Sequence, residues 1–276
     1  MSALLHQARP SSVPGAVYYA APSDEPLYCY ADDPPPGERE HNVEFVPHTV
    51  MIRDARHASR PLRLDREGAT IWCEPSAVRN FYDDEELRRV GYPEAAAIVS
   101  AVSGAQHVVV FDHNVRRAGD GAGARQAAKK PVFHAHTDFT TASAPVRARS
   151  VLDAALTSGR RIAELNVWRP IAGPVRDNHL ALCDASSLDA DDLVPVALLY
   201  PERTGEIYYV RFNSAHRWWY LSDMRTDEAW VFKNYDSATD GRARFTPHTA
   251  FLDPHLRSAA PARESVEFRA FAIFDA

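Results

Sequence analysis

Three short segments, in a fixed order, limit what this chain can fold into. Phe133-His134-Ala135-His136-Thr137-Asp138-Phe139-Thr140, Arg244-Phe245-Thr246-Pro247-His248-Thr249-Ala250-Phe251 and Glu264-Ser265-Val266-Glu267-Phe268-Arg269-Ala270-Phe271-Ala272-Ile273-Phe274 all read as strands. Side chains two apart on a strand share a face. His136 and Asp138 therefore point one way, and so do Arg263 and Ser265 at the start of the third segment. Two imidazoles and one carboxylate, His136, Asp138 and His248, can hold Fe(II) on one triangular face and leave positions for a co-substrate and dioxygen. An arginine offers a planar fork to a carboxylate, and a hydroxyl two residues later can add a donor. These parts fit the binding of Fe(II) and 2-oxoglutarate.

The tripeptide alone is unspecific in a chain with 12 histidines. Longer phrases add specificity. Asn166-Val167-Trp168-Arg169-Pro170-Ile171-Ala172-Gly173-Pro174-Val175, Leu180-Ala181-Leu182-Cys183-Asp184, Thr246-Pro247-His248-Thr249-Ala250-Phe251 and Arg263-Glu264-Ser265-Val266-Glu267-Phe268-Arg269 resemble the gibberellin-desaturase-like family of fungal hydroxylase/desaturases, which includes the hydroxylase component of cephamycin methoxylation. Asp54-Ala55-Arg56, Pro61 to Gly68 and Phe111 to Arg117 extend the likeness from about residue 40 to the end. The resemblance implies a double-stranded β-helix, a jelly-roll or cupin-like barrel, that uses Fe(II), 2-oxoglutarate and dioxygen on a small biosynthetic molecule of secondary metabolism. In halogenating relatives of this superfamily a small residue replaces the carboxylate. Asp138 is retained, which implies hydroxylation or desaturation instead.

Residue roles follow on that reading. His136, Asp138 and His248 would bind the metal, Arg263 would clamp the distal carboxylate of 2-oxoglutarate, and Ser265 would donate to it. Arg257-Ser258 is a rival anchor in a stretch that reads as loop. Arg269 shares a face with Arg263 and is expected to pair with Glu267 or another acid. Trp168, Arg169 and Tyr220, with Trp218 and Trp219, could line a substrate pocket, because such sites combine aromatic walls with few polar groups. Arg169 stands out, since an arginine at the end of a Trp-Arg-Pro strand has to find an anion.

Three other readings stay open. His134, His136 and Asp138 resemble the start of the metallo-β-lactamase zinc signature, although Phe139 stands where that hydrolase needs a histidine. A cupin would pair His134 with His136, but no glutamate follows at the usual short spacing. A barrel that binds a ligand without catalysis is the third possibility.

The remaining organisation is α+β, a β-barrel with flanking helices. Residues 1–15 read as a loose tail and 16–276 as one oxygenase domain, with its jelly-roll core from about 106. Asp32 to Glu40 is too proline-rich and charged for an element. Helices are expected over Glu85 to Val90, Pro93 to Ser103 and Pro145 to Leu156. Strands are expected over Gln106 to Phe111, Ile162 to Trp168, Val194 to Tyr200, Glu206 to Phe212, Arg217 to Leu221 and Ala229 to Phe232. Gly119 to Ala124 is a glycine-rich loop, either a lid or a plain surface connection. A net charge of −6 gives no basic field for nucleic acid. Cys29, Cys73 and Cys183 read as free thiols in a reducing compartment. No stretch has the length or apolarity of a membrane span or signal peptide, so a cytoplasmic protein is expected.

Overall fold

The structure, a computed structural model, describes residues 10–118, 128–254 and 261–275. Its strands are β1 (Ser12–Ala20), β2 (Leu27–Tyr30), β3 (Phe45–Asp54), β4 (Ala69–Cys73), β5 (His107–Arg117), β6 (His136–Thr137), β7 (Arg161–Ala172), β8 (His179–Cys183), β9 (Leu193–Leu199), β10 (Thr204–Val210), β11 (Trp218–Tyr220), β12 (Glu228–Asp236), β13 (His248–Phe251) and β14 (Glu264–Phe274). They form two sheets. The larger runs β1-β3-β11-β8-β13-β6-β10-β9-β2 and the smaller β4-β12-β7-β14-β5. The two layers make the double-stranded β-helix that the resemblance implied.

The smaller sheet is the best-formed part, because its three central strands, β12, β7 and β14, are long and buried on both faces. β12 has no exposed residue, and β14 is antiparallel to both β5 and β7 over nearly its whole length. Alternation sorts the two faces. On β7, Ala163, Leu165 and Val167 pack outward with Ala229, Val231, Phe268 and the helix Tyr92–Ser103. Trp168, with Trp230 and Phe232 of β12, turns inward to meet Leu180 and Leu182 of the larger sheet. The helix starts with Pro93 in its first turn and ends at Gly104, whose φ of +73° suits a left-handed cap. Ala95, Ile98 and Val99 form its buried stripe at the spacing a helix requires.

Several boundaries differ from expectation. β1 begins at Ser12, inside the stretch that reads as a tail. Val13, Val17 and Tyr19 alternate into a cluster with Ile52, Trp218 and Phe251. Pro14 and Gly15 hide that pattern in the sequence, since both residues weaken a strand reading. Gly15 is required by space, because a Cβ there would lie 2.6 Å from Ile52 and 2.8 Å from Phe251. Nor does the sequence pattern announce β2, β3 or β4, so strands also populate the first half of the chain. The helix expected over Pro145 to Leu156 is two pieces, Ser143–Val151 and Ala154–Thr157. Around the H-x-D motif only His136 and Thr137 pair as a strand, and before β13 the chain is irregular up to Pro247. The glycine-rich Gly119 to Ala124 lies outside the described residues.

Candidate active site

His136 and His248 face each other across the larger sheet. They are Cα partners in the antiparallel pairing of β6 and β13, and their ring centroids are 4.3 Å apart. Each ring is oriented by the backbone two residues before it. His136 Nδ1 lies 2.9 Å from the carbonyl oxygen of His134, and His248 Nδ1 lies 3.3 Å from that of Thr246. A carbonyl only accepts, so each Nδ1 carries the proton and each Nε2 keeps its lone pair. Burial pushes the His136 imidazolium down to about 3, the neighbouring His248 adding to the effect, and burial lowers His248 as well. Both rings are neutral at physiological pH, as metal ligation requires.

Asp138 follows the short strand and is held from the opposite sheet. Oδ2 accepts from Asn166 Nδ2 at 2.8 Å and from Arg269 Nε at 3.1 Å, while Asn234 lends a backbone anchor by accepting from Asp138 N at 3.2 Å. Oδ1 faces Arg269 Nη2 at 3.1 Å and His136 Nε2 at 3.9 Å. Burial alone would favour the neutral acid, but Arg269 and the two histidines hold the carboxyl below the usual carboxylate range. Arg269 also meets Glu267 at 3.1 Å, so the expected acid pairing is present together with one to Asp138 itself.

His136, Asp138 and His248 bring one donor atom each within 4.8 Å of one another. Two neutral imidazole nitrogens and one ionised carboxylate oxygen are a donor set suited to Fe(II). They open on a pocket lined by Arg116, Val132, Trp168, Leu180, Thr249, Ala250, Arg263 and Glu267. Arg263 is 3% exposed and sits over the Trp168 ring. It donates from Nη1 to the carbonyl of Asn178 at 2.7 Å, and among the described residues its buried Nε has no partner. Burial, helped by the charge of Arg116, pushes this guanidinium down to about 9. The buried hydroxyl of Ser265 is also unpartnered among those residues. Orphaned buried donors of this kind call for an acceptor, and a carboxylate from outside the chain fits.

The other sequence candidates divide. Trp168 lines the pocket. Arg169 lies on the opposite face of β7, as strand alternation demands, and donates to the carbonyl of Glu74 at 2.9 Å with Glu94 and Asp227 nearby. Among the described residues it forms no ion pair, and its buried Nε has no partner there. Tyr220 packs edge-on against His179 and Phe251 in the cluster beneath β8, away from the pocket. Trp218 belongs to the same cluster and donates to Tyr19 Oη at 2.8 Å. His134 stacks on Phe45 at 4.5 Å and stands outside the triad. Arg257 and Ser258 lie outside the described residues. Asn166, Asn234, Arg116 and Glu267 carry no sequence signal as parts of the site, because their partners are remote along the chain.

A jelly-roll that places this triad beside a buried arginine with no ion-pair partner among the described residues defines an Fe(II)/2-oxoglutarate-dependent oxygenase. Comparisons with known proteins agree. A family model described as an oxidoreductase/YMDC permease-like domain matches residues 16–273. The Fe(II)/2-oxoglutarate-dependent dioxygenase nvfI of Aspergillus novofumigatus is 33% identical over 258 residues, covering 90% of this chain and 91% of the relative. The hydroxylase/desaturase efuI of Hormonema carpetanum is 28% identical over 257 residues, covering 84% and 86%. A solved structure of the iron and alpha-ketoglutarate-dependent endoperoxidase NvfI superposes with a TM-score of 0.85 at 28% identity, covering 96% of this chain and 99% of that one. The chain belongs to this family of Fe(II)/2-oxoglutarate-dependent dioxygenases. Among the described residues no helix is long and apolar enough to cross a membrane.

Proposed function

We propose that the enzyme hydroxylates or desaturates a small biosynthetic molecule of secondary metabolism, with His136, Asp138 and His248 holding Fe(II) and with Arg263 and Ser265 receiving the distal carboxylate of 2-oxoglutarate. The observation that carries this reading is the convergence on one pocket of three oriented donor atoms and a buried guanidinium that has no ion pair among the described residues. Iron and 2-oxoglutarate together supply, from dioxygen, the oxidising power to remove hydrogen from an unactivated carbon. The protein's own part is placement. The carbonyls of residues 134 and 246 present both Nε2 lone pairs, and Arg269, Asn166 and Asn234 keep Asp138 ionised and fixed. Trp168, Val132, Leu180 and Ala250 give the pocket an apolar wall that excludes water and suits a carbon skeleton. Cys29 and Cys183 are buried free thiols and Cys73 an exposed one, which supports a reducing, cytoplasmic setting.

The test is anaerobic addition of Fe(II) and then 2-oxoglutarate to the metal-free protein, watched for the visible charge-transfer band of the chelate. A saturable band that disappears in His248→Ala is expected. No band, or turnover supported by zinc without oxygen, would return the hydrolytic or non-catalytic readings.

A further inference from the structure

The pocket holds a second arginine that the anchor pair does not account for. Arg116 lies on β5 directly across from Ser265 of β14 in antiparallel register, so the two side chains share a face. Ala118 N donates to the carbonyl oxygen of Arg263 at 2.8 Å, which brings the end of β5 beside the start of β14. Arg116, Ser265 and Arg263 therefore converge, and both guanidiniums line the pocket of the triad.

Among the described residues neither guanidinium forms an ion pair. Arg116 donates from Nη1 to the carbonyl of Lys130 at 2.8 Å, and Arg263 from Nη1 to that of Asn178. The acid that lines the pocket beside them, Glu267, is paired with Arg269 and offsets both guanidiniums through its field alone, one negative charge among three arginines. Two like charges sharing a desolvated space repel unless an anion enters between them. A single carboxylate, with two oxygens and about four acceptor directions, can satisfy two forks and one hydroxyl at once.

We infer that Arg116 is a second co-substrate-binding arginine, which with Arg263 and Ser265 forms one cradle for the distal carboxylate of the 2-oxo dicarboxylate. The inference rests on the reading above that Arg263 receives that group. It makes the pocket selective for a dicarboxylate. A 2-oxo acid lacking the distal carboxylate would leave both guanidiniums uncompensated.

The experiment measures anaerobic binding to the Fe(II)-loaded protein by the charge-transfer band, using 2-oxoglutarate and the monocarboxylate 2-oxobutanoate as probes. Arg116→Gln is expected to weaken 2-oxoglutarate by about tenfold or more, the scale of a charge-assisted contact, and to leave 2-oxobutanoate unchanged. Arg116→Lys should fall between, since it keeps the charge and loses the fork. The melting temperature of each metal-free variant checks the fold. If Arg263→Gln weakens 2-oxoglutarate and Arg116→Gln does not, the cradle is overturned while the anchor stands. Equal weakening of both probes by Arg116→Gln would also overturn it, placing Arg116 at the near end of the co-substrate. If Arg263→Gln itself has no effect, the reading of the anchor fails first.

Discussion

The guanidinium of Arg269 closes on both oxygens of the Asp138 carboxylate, with Nε 3.1 Å from Oδ2 and Nη2 3.1 Å from Oδ1, the oxygen that also faces His136 Nε2 at 3.9 Å. One carboxylate is thus shared between a fixed cation of the protein and the proposed metal position. Arg269→Gln should lower Fe(II) affinity by about 10- to 100-fold, as loss of a partner of a metal ligand typically does. Equilibrium titration with Fe(II) under anaerobic conditions checks it, and unchanged affinity would show that Asp138 is positioned without Arg269.

Neighbouring histidines should behave very differently. His136→Ala removes a donor atom of the triad and should abolish iron binding and turnover with the fold retained. His134→Ala removes a ring stacked on Phe45 and edge-on to Tyr209 but leaves the carbonyl that orients His136. Its expected cost is stability, about 1–3 kcal/mol for a large-to-small change in packed aromatic surroundings. Metal analysis of the two purified variants distinguishes the roles, and loss of iron in His134→Ala would return a cupin-like ligand pair.

Acid should weaken the metal-free protein before any carboxylate of ordinary character titrates. His136 is held neutral in the fold, its value pushed down to about 3, whereas the unfolded chain binds a proton near the ordinary value of 6.5. The unfolded state therefore holds more protons below neutrality, and the stability is present above about 6.5 and lost progressively as the pH falls toward 3. Each pH unit through that window is worth about 1.4 kcal/mol, so His136 alone would remove about 2 kcal/mol by about pH 5. His134 and His248 shift in the same direction. Urea unfolding of the metal-free protein at a series of pH values should show the decline, and His136→Asn should make it shallower.

Gly68 controls His248 from a distance. Its φ is +80°, and a Cβ there would collide with Thr246 Oγ1, which donates to the Gly68 carbonyl at 3.0 Å. Thr246 in turn supplies the carbonyl that orients His248. Gly68→Ala should reduce stability by about 1–3 kcal/mol through backbone strain and displacement. It should also weaken Fe(II) binding, because the ring loses its alignment. A melting curve with an iron titration checks both; a destabilised variant with native iron affinity would uncouple the two residues.

How much of the site is readable from the chain depends on separation along it. His136 and Asp138 are two residues apart, and a period of two suffices to place them together. His248 lies in a long matched phrase, and Arg263 and Ser265 share the same simple alternation. The clamp on Asp138 has no such local signal, because Asn166, Asn234 and Arg269 lie 28, 96 and 131 residues away. Arg169 lies off the pocket for a different reason. Its neighbour Trp168 does face the pocket, and one step along a strand reverses the face. The early strands are hard to read because β3 is largely exposed and β1 carries Pro14 and Gly15, so neither shows clean apolar alternation.

His136 and His248 hang from one sheet, whereas Asn166, Asn234 and Arg269 reach Asp138 from the other. The hold on Asp138 therefore spans the gap between the layers and works as a gauge of their spacing. A cavity opened among Trp168, Trp230 and Phe232, well short of unfolding the protein, would let the sheets drift by fractions of an ångström. Metal affinity would register that drift sooner than any change in secondary structure. In this enzyme the quality of the core behind the pocket is written into the chemistry of the centre.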